Sequence, residues 1–161
     1  MKAKWKTIQG IVERGYRVAS GDTADSEYYP YGTIELQVPK FKERGLDLTQ
    51  CYPATLNISI KPHTFEMKNP EISFTNVAWT TPDKHPPEHF SFSRCRVIFK
   101  NKSYNGWVYY PHPETKKRHF QRLDLIEVIA EKIDGINYDE EVELEINTAE
   151  IALINPKLAS R

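Results

Sequence analysis

Cysteine is nearly absent from this chain of 161 residues: Cys51 and Cys95 are the only two, and they form no C-x-x-C pair. That removes a disulfide framework and a zinc-ribbon type of metal site from consideration. Glycine is scarce as well. Its seven occurrences spell neither G-x-x-x-x-G-K-[ST], G-x-G-x-x-G nor G-x-S-x-G, which excludes a P-loop, a dinucleotide-binding turn and the serine-hydrolase elbow. Any phosphate site has to be built another way. No apolar run is long enough to span a bilayer. The opening Met1-Lys2-Ala3-Lys4-Trp5-Lys6 is basic, but no apolar signal core follows it, so the expected location is the cytoplasm and Asn57-Ile58-Ser59 and Asn101-Lys102-Ser103 are discounted as glycosylation acceptors. An excess of one charge is missing too. The 22 Lys and Arg balance 22 Asp and Glu, which counts against a general binder of nucleic-acid backbones and leaves room only for a local basic patch.

What is present is a single domain's length of alternating segments. The stretch Cys51 to Ile60 reads as a strand, with Leu56, Ile58 and Ile60 on one face and Thr55, Asn57 and Ser59 on the other. Asn is depleted in strands, so Asn57 needs a reason to be there. A hydroxyl and an amide oxygen two residues apart on a stiff backbone can hold a magnesium ion whose other ligands are phosphate and water. A solvent-facing strand surface is the competing reading.

Thr7 to Val12 and Tyr16 to Ala19 read as a hairpin, and Thr33 to Val38 as a strand. Pro39 to Gly45 reads as a short helix, proline at its start and glycine at its end. Glu71 to Thr80 reads as a strand, Ser93 to Lys100 and Tyr104 to Tyr110 as a second hairpin, and Glu141 to Ile146 and Ile151 to Ile154 as closing strands. Between Gln121 and Asp134, Ile126, Ile129, Ala130 and Ile133 recur at helical spacing before Gly135, which predicts a helix. Ser20 to Tyr31 reads as a long polar loop holding Tyr28, Tyr29 and Tyr31, rings that could stack on a flat ligand. No βαβ rhythm and no repeat is visible. The expected fold is mainly β with short helices: one small barrel domain over 1–161, with its core at about 7–146 and a fraying tail at 155–161.

His85-Pro86-Pro87-Glu88-His89 matches H-x-x-E-H, but two prolines forbid the helix that zinc-protease chemistry requires. Lys116-Lys117-Arg118-His119 precedes the expected helix, where a cationic stretch strengthens an anion site. Thr115 stands beside it, able to cap or to donate to a ligand. Glu127 falls on the polar face with Asp124 and Glu131, where a solvated helix face is the simpler reading.

Two separated segments together resemble the archaeal CTP-dependent riboflavin kinases. Tyr52-Pro53-Ala54-Thr55-Leu56-Asn57-Ile58 is similar to that family's P-x-x-G-T-L-N-L segment. Asn105-Gly106-Trp107-Val108-Tyr109-Tyr110-Pro111, Thr115, Asp124 to Ala130 and Asp139-Glu140-Glu141-Val142 are similar, in order, to its D-G-x-x-V-x-P, T, I-I-E-I-I-A-P and D-G-D-x-V series. The resemblance covers about 7–146. It implies a six-stranded cradle-loop barrel and phosphoryl transfer from CTP or another nucleotide to riboflavin or a similar alcohol, giving FMN. It also implies that Thr55 and Asn57 are the magnesium ligands and that Thr115 and Glu127 bind the flavin. Lys116, Lys117 and Lys132 are the cations expected to offset phosphate charge. The chain departs from the family in three places, one of them a longer loop at His85 to His89. The early G-x-G-x-G loop has no clean counterpart, and its position carries Asp22, Asp25 and Glu27. The basic stretch after the expected helix shrinks to Glu131-Lys132-Ile133-Asp134, with Lys132 its one cation. Those departures motivate a rival expectation, a non-catalytic nucleotide- or flavin-binding module on the same barrel. A nucleic-acid-binding barrel is a third, and the zero net charge weighs against it.

Overall fold

Strand pairing returns on itself in this protein. The computed structural model describes residues 2–14, 33–115 and 122–156. Their elements run β1 (Trp5–Glu13), α1 (Thr33–Glu43), β2 (Leu56–Ser59), β3 (Thr64–Met67), β4 (Ile72–Val77), β5 (Glu88–Phe99), β6 (Lys102–Pro111), a 3-10 turn (Pro113–Thr115), β7 (Leu125–Ala130), β8 (Glu141–Asn147) and β9 (Ile151–Ile154). The main sheet has the order β4-β5-β6-β7-β2-β1-β8, and β8 pairs back onto β5. Six strands therefore form a closed antiparallel barrel, with β4 attached outside the ring along β5. Closure removes the open edges that would otherwise pair with other chains. A two-stranded sheet, β3 with β9, stands beside it.

Alternation fills the barrel. Ile8, Val12, Ile58, Cys95, Val97, Phe99, Val108, Ile126, Val128, Val142, Leu144 and Ile146 form one buried cluster. Each large aliphatic or aromatic side chain so buried is worth about 1.5–3 kcal/mol relative to exposure. A second cluster lies on the outside of β5, β6 and β7. There Phe90, Phe92, Tyr109 and Ile129 meet Ile34 and Phe41 of α1, with Leu46, Leu48, Val77 and Trp79. Phe41 is its hub, with its ring 5.0 Å from Phe90 and 5.1 Å from Phe92, both edge-on.

Two elements differ in type from the sequence expectation. The helix expected between Gln121 and Asp134 is the strand β7. Ile126, Val128 and Ala130 face the barrel while Ile129 faces the second cluster, so both faces are apolar and the period-two signal is lost. The strand expected at Thr33 to Val38 belongs to α1. Its buried positions Ile34, Gln37 and Phe41 follow helical spacing, and Pro39 sits within the helix on its exposed side. Of the first expected hairpin, Thr7 to Val12 is β1, which pairs with β2 and β8; Tyr16 to Ala19, the polar loop Ser20 to Tyr31 and residues 157–161 of the tail lie outside the described residues. The second hairpin holds, turning on Lys100 and Asn101 at φ 49° and 65°, the left-handed pair that a tight two-residue hairpin demands.

Gly106 marks the closest approach of β6 and β7. A Cβ there would lie 2.8 Å from the Ala130 Cβ and 2.9 Å from the Ile129 carbonyl oxygen. We expect Gly106→Ala to cost about 1–3 kcal/mol of stability, read as a lowered urea midpoint at unchanged slope. An unshifted midpoint would mean that the two backbones separate freely at this point.

Candidate functional site

The outer surface of the barrel carries a row of polar side chains on β1, β2 and β7. Leu56 and Ile58 of β2 point inward, so Asn57 between them points out. In register, Asn57 stands opposite Glu127 of β7 on one side and Glu13 of β1 on the other. Ile126 and Val128 point inward, so Glu127 shares the outer face with Asn57. Opposed residues on one face have Cβ atoms about 4.5–5.5 Å apart, which puts the Glu127 carboxylate within reach of the Asn57 amide. Both side chains are half-buried, neither sealed in hydrocarbon nor fully in solvent. Thr55 immediately precedes β2 and is also half-buried.

Glu13 anchors the next layer. Arg122 donates from Nη1 to Glu13 Oε1 at 2.7 Å and from Nε to Asp124 Oδ1 at 2.8 Å. The Arg122 hydrogen bond holds the Glu13 carboxyl below the ordinary carboxylate range; burial pushes the other way, and Ser59 and Lys61 act with Arg122. The two carboxylates in turn hold the Arg122 proton more firmly than usual.

On the other side of Glu127 the row becomes buried. Tyr109 lies one position beyond the Val108–Val128 pair of β6 and β7, and its hydroxyl donates to Gln37 Oε1 at 2.7 Å. Burial pushes its phenol well above the usual value, and the charges of Glu88 and Glu127 add to this. Glu88, nearly sealed, accepts from the Trp79 indole N–H at 3.0 Å. The face thus grades from a wet ion-paired end at Glu13 to a dry end at Tyr109.

The structure brings together Asn57 and Glu127, with Thr55 close by in the chain. Lys132 is not among them. It is exposed, two residues past the end of β7 and beyond the bend at Glu131. Thr115 ends the 3-10 turn; its side chain, like Lys116 and Lys117, lies outside the described residues. The histidines of His85-Pro86-Pro87-Glu88-His89 part company. His85 Nε2 lies 3.9 Å from Glu88 Oε2, whereas His89 Nδ1 accepts the Asn76 backbone N–H at 3.0 Å. Among the described residues no three His, Cys, Asp or Glu side chains converge on a metal position. A cation on this face would therefore rest on neutral oxygens such as those of Thr55 and Asn57, with the remaining positions taken by ligand and water.

Sequence reasoning missed Glu13, Arg122 and Tyr109. Glu13 ends a strand that was read correctly, and its exposure to a ligand depends on β2 lying beside it. Arg122 was hidden by the mistaken helix.

A second polar cluster has the order of a hydrolytic triad: Ser91 Oγ lies 2.6 Å from His112 Nε2, and His112 Nδ1 lies 3.2 Å from Glu114 Oε2. Ser91 has 0% exposure and shares its hydroxyl with Ser73 at 2.8 Å. No acyl substrate reaches it, and the cluster braces β4, β5 and the 3-10 turn together.

Two outcomes follow from these bonds. Tyr109→Phe leaves the Gln37 amide oxygen buried without its donor, a cost of about 1–3 kcal/mol that urea unfolding should register; no loss would mean Gln37 finds another partner. Glu13 has a depressed pKa, so its contribution is present above its unfolded value of 4.5 and is lost as pH falls through the lower folded value. The stability gap between the wild type and Glu13→Gln should therefore be widest above pH 4.5 and close in more acid solution. A gap independent of pH would remove the ion pair from the account.

Among the described residues no helix is long and apolar enough to cross a membrane. No protein-family model matches the chain, and no curated protein matches it.

Proposed function

We propose that this barrel is a magnesium-dependent phosphotransferase of the CTP-dependent riboflavin kinase type, moving a phosphoryl group from a nucleotide to riboflavin or a similar alcohol to give FMN. One observation carries the reading. Asn57 and Glu127, far apart in the sequence, are cross-strand neighbours on one outer face, and the resemblance gives one of them to the cation and the other to the flavin. Transfer between two bound substrates needs those two groups adjacent, because the chemistry asks for positioning and charge neutralisation.

Thr55 and Asn57 hold magnesium on the donor phosphates in this reading. Thr115 and Glu127 orient the acceptor. As its hydroxyl oxygen bonds to the terminal phosphorus, the bond to the nucleoside diphosphate breaks. Lys116, Lys117 or Lys132 offsets phosphate charge. The carboxylates of Glu13 and Glu127 on either side of Asn57 favour a nucleotide that arrives with its divalent cation over a bare polyanion. A binding module that holds the same ligands without transfer is the alternative.

The test is FMN formation from riboflavin with magnesium and CTP or ATP, followed chromatographically. Asn57→Ala should lose about a hundredfold or more of the turnover with its circular dichroism unchanged, and Glu127→Gln should raise the KM for riboflavin about tenfold. Undiminished turnover in Asn57→Ala sinks the metal role. Magnesium-dependent thermal stabilisation by nucleotide or flavin, without product, assigns the binding module instead.

A further inference from the structure

We propose that Arg122 is a phosphate-binding residue, an anion fork held ready by Glu13 and Asp124; this deepens the phosphotransferase reading and rests on the same face. The observation is an unspent donor. Arg122 uses Nε on Asp124 and Nη1 on Glu13, while Nη2 is buried with no hydrogen-bond partner. It is the one buried side-chain polar atom so left among the described residues. A buried N–H without a partner carries a standing cost, and folded proteins ordinarily answer it with a ligand, an ion or water. The side chain as a whole is 32% exposed, so part of it reaches solvent although Nη2 does not, and a phosphate meets that donor as the side chain shifts within its cluster.

The chemistry of the missing partner follows from the donor. A guanidinium presents its N–H groups in a planar fork that matches two oxygens of a phosphate, and two flanking carboxylates fix the plane of that fork. Position ties the fork to the ligand face. Glu13, which holds Nη1, stands opposite Asn57, so a phosphate on Arg122 lies beside the proposed cation ligand. Charge sets a condition: Glu13, Asp124 and Arg122 sum to one negative charge, so an anion binds there together with a divalent cation rather than alone. Arg122 also supplies a cation that the stretch Glu131-Lys132-Ile133-Asp134 does not bring to this face.

Calorimetric titration of the folded chain with magnesium pyrophosphate, FMN and riboflavin tests this. The wild type should bind magnesium pyrophosphate, more weakly when magnesium is withheld. Arg122→Gln should weaken that binding and FMN binding about tenfold or more, with riboflavin held to within about twofold. Arg122→Lys keeps the charge without the fork and should fall between, and it carries the test should the Gln variant not fold. Arg94→Gln, which disrupts a surface pair with Glu71, serves as the control and should bind as the wild type does. The inference is overturned if the wild type ignores pyrophosphate, if Arg122→Gln binds it undiminished, or if FMN and riboflavin weaken equally. Pyrophosphate held through Arg122 by a chain that takes up no flavin keeps the anion site and removes the kinase reading.

Discussion

The pairing of β8 with β5 is the constraint on which the rest of the structure depends. β8 already lies along β1 for seven residue pairs. By also meeting β5 at Cys95, Val97 and their neighbours it turns an open sheet into a ring. Closure gives every ring strand an inside and an outside, and it forces β5 to divide its length. Residues 95–98 line the ring against β8, while 88–92 run on to carry β4. That extension supplies Phe90 and Phe92, on which α1 docks through Phe41. The polar row at Glu13, Asn57 and Glu127 is possible because β1, β2 and β7 are neighbours in the ring. Sequence order alone would separate them.

Two-sided burial explains both what was legible and what was not. β8 read correctly because Val142, Leu144 and Ile146 face the barrel while the glutamates between them stay partly exposed. β6 and the part of β5 from Ser93 onward read correctly because their alternation is long and their turn chemistry is plain, whereas the extension Glu88 to Phe92 did not read as strand behind its prolines. β7 covers two cores, so Leu125-Ile126 and Val128-Ile129-Ala130 present apolar residues whichever face is sampled. A six-residue run of that kind has no period of its own, and chance spacing to Ile133 supplied a helical one. In α1 the error ran the other way. Ile34, Leu36 and Val38 mimic a strand, and only Phe41, placed one further helical step on, shows which residues the fold buries.

The candidate site was legible to the same degree. Asn57 stood out as an amide in a strand and does face outward. Glu127 was placed on the right kind of surface for the wrong reason: a helix face was expected, and a strand face delivers the carboxylate next to Asn57. Cross-strand register is long-range information that a single sequence does not carry in its local pattern. Glu13 and Arg122 depend on it entirely, because their bond joins the end of the first strand to the approach of the seventh.

The electrostatic gradient along the row bears on what can sit there. At the dry end, burial and two neighbouring carboxylates keep the Tyr109 phenol neutral, so it offers a hydroxyl and no charge. At the wet end, Arg122 stands between Glu13 and Asp124 and its hydrogen bond holds the Glu13 carboxyl below the ordinary carboxylate range. Asn57 lies between these regimes and contributes a dipole without a charge. An apolar ring with a polar edge is best matched by the dry end, and a metal-bound polyanion by the wet one. A ligand set that pairs a flat, largely neutral acceptor with a magnesium-bound phosphate chain would thus find each half of its chemistry on the side of Asn57 that suits it. A uniformly anionic ligand such as a nucleic-acid strand would meet carboxylates along the whole row.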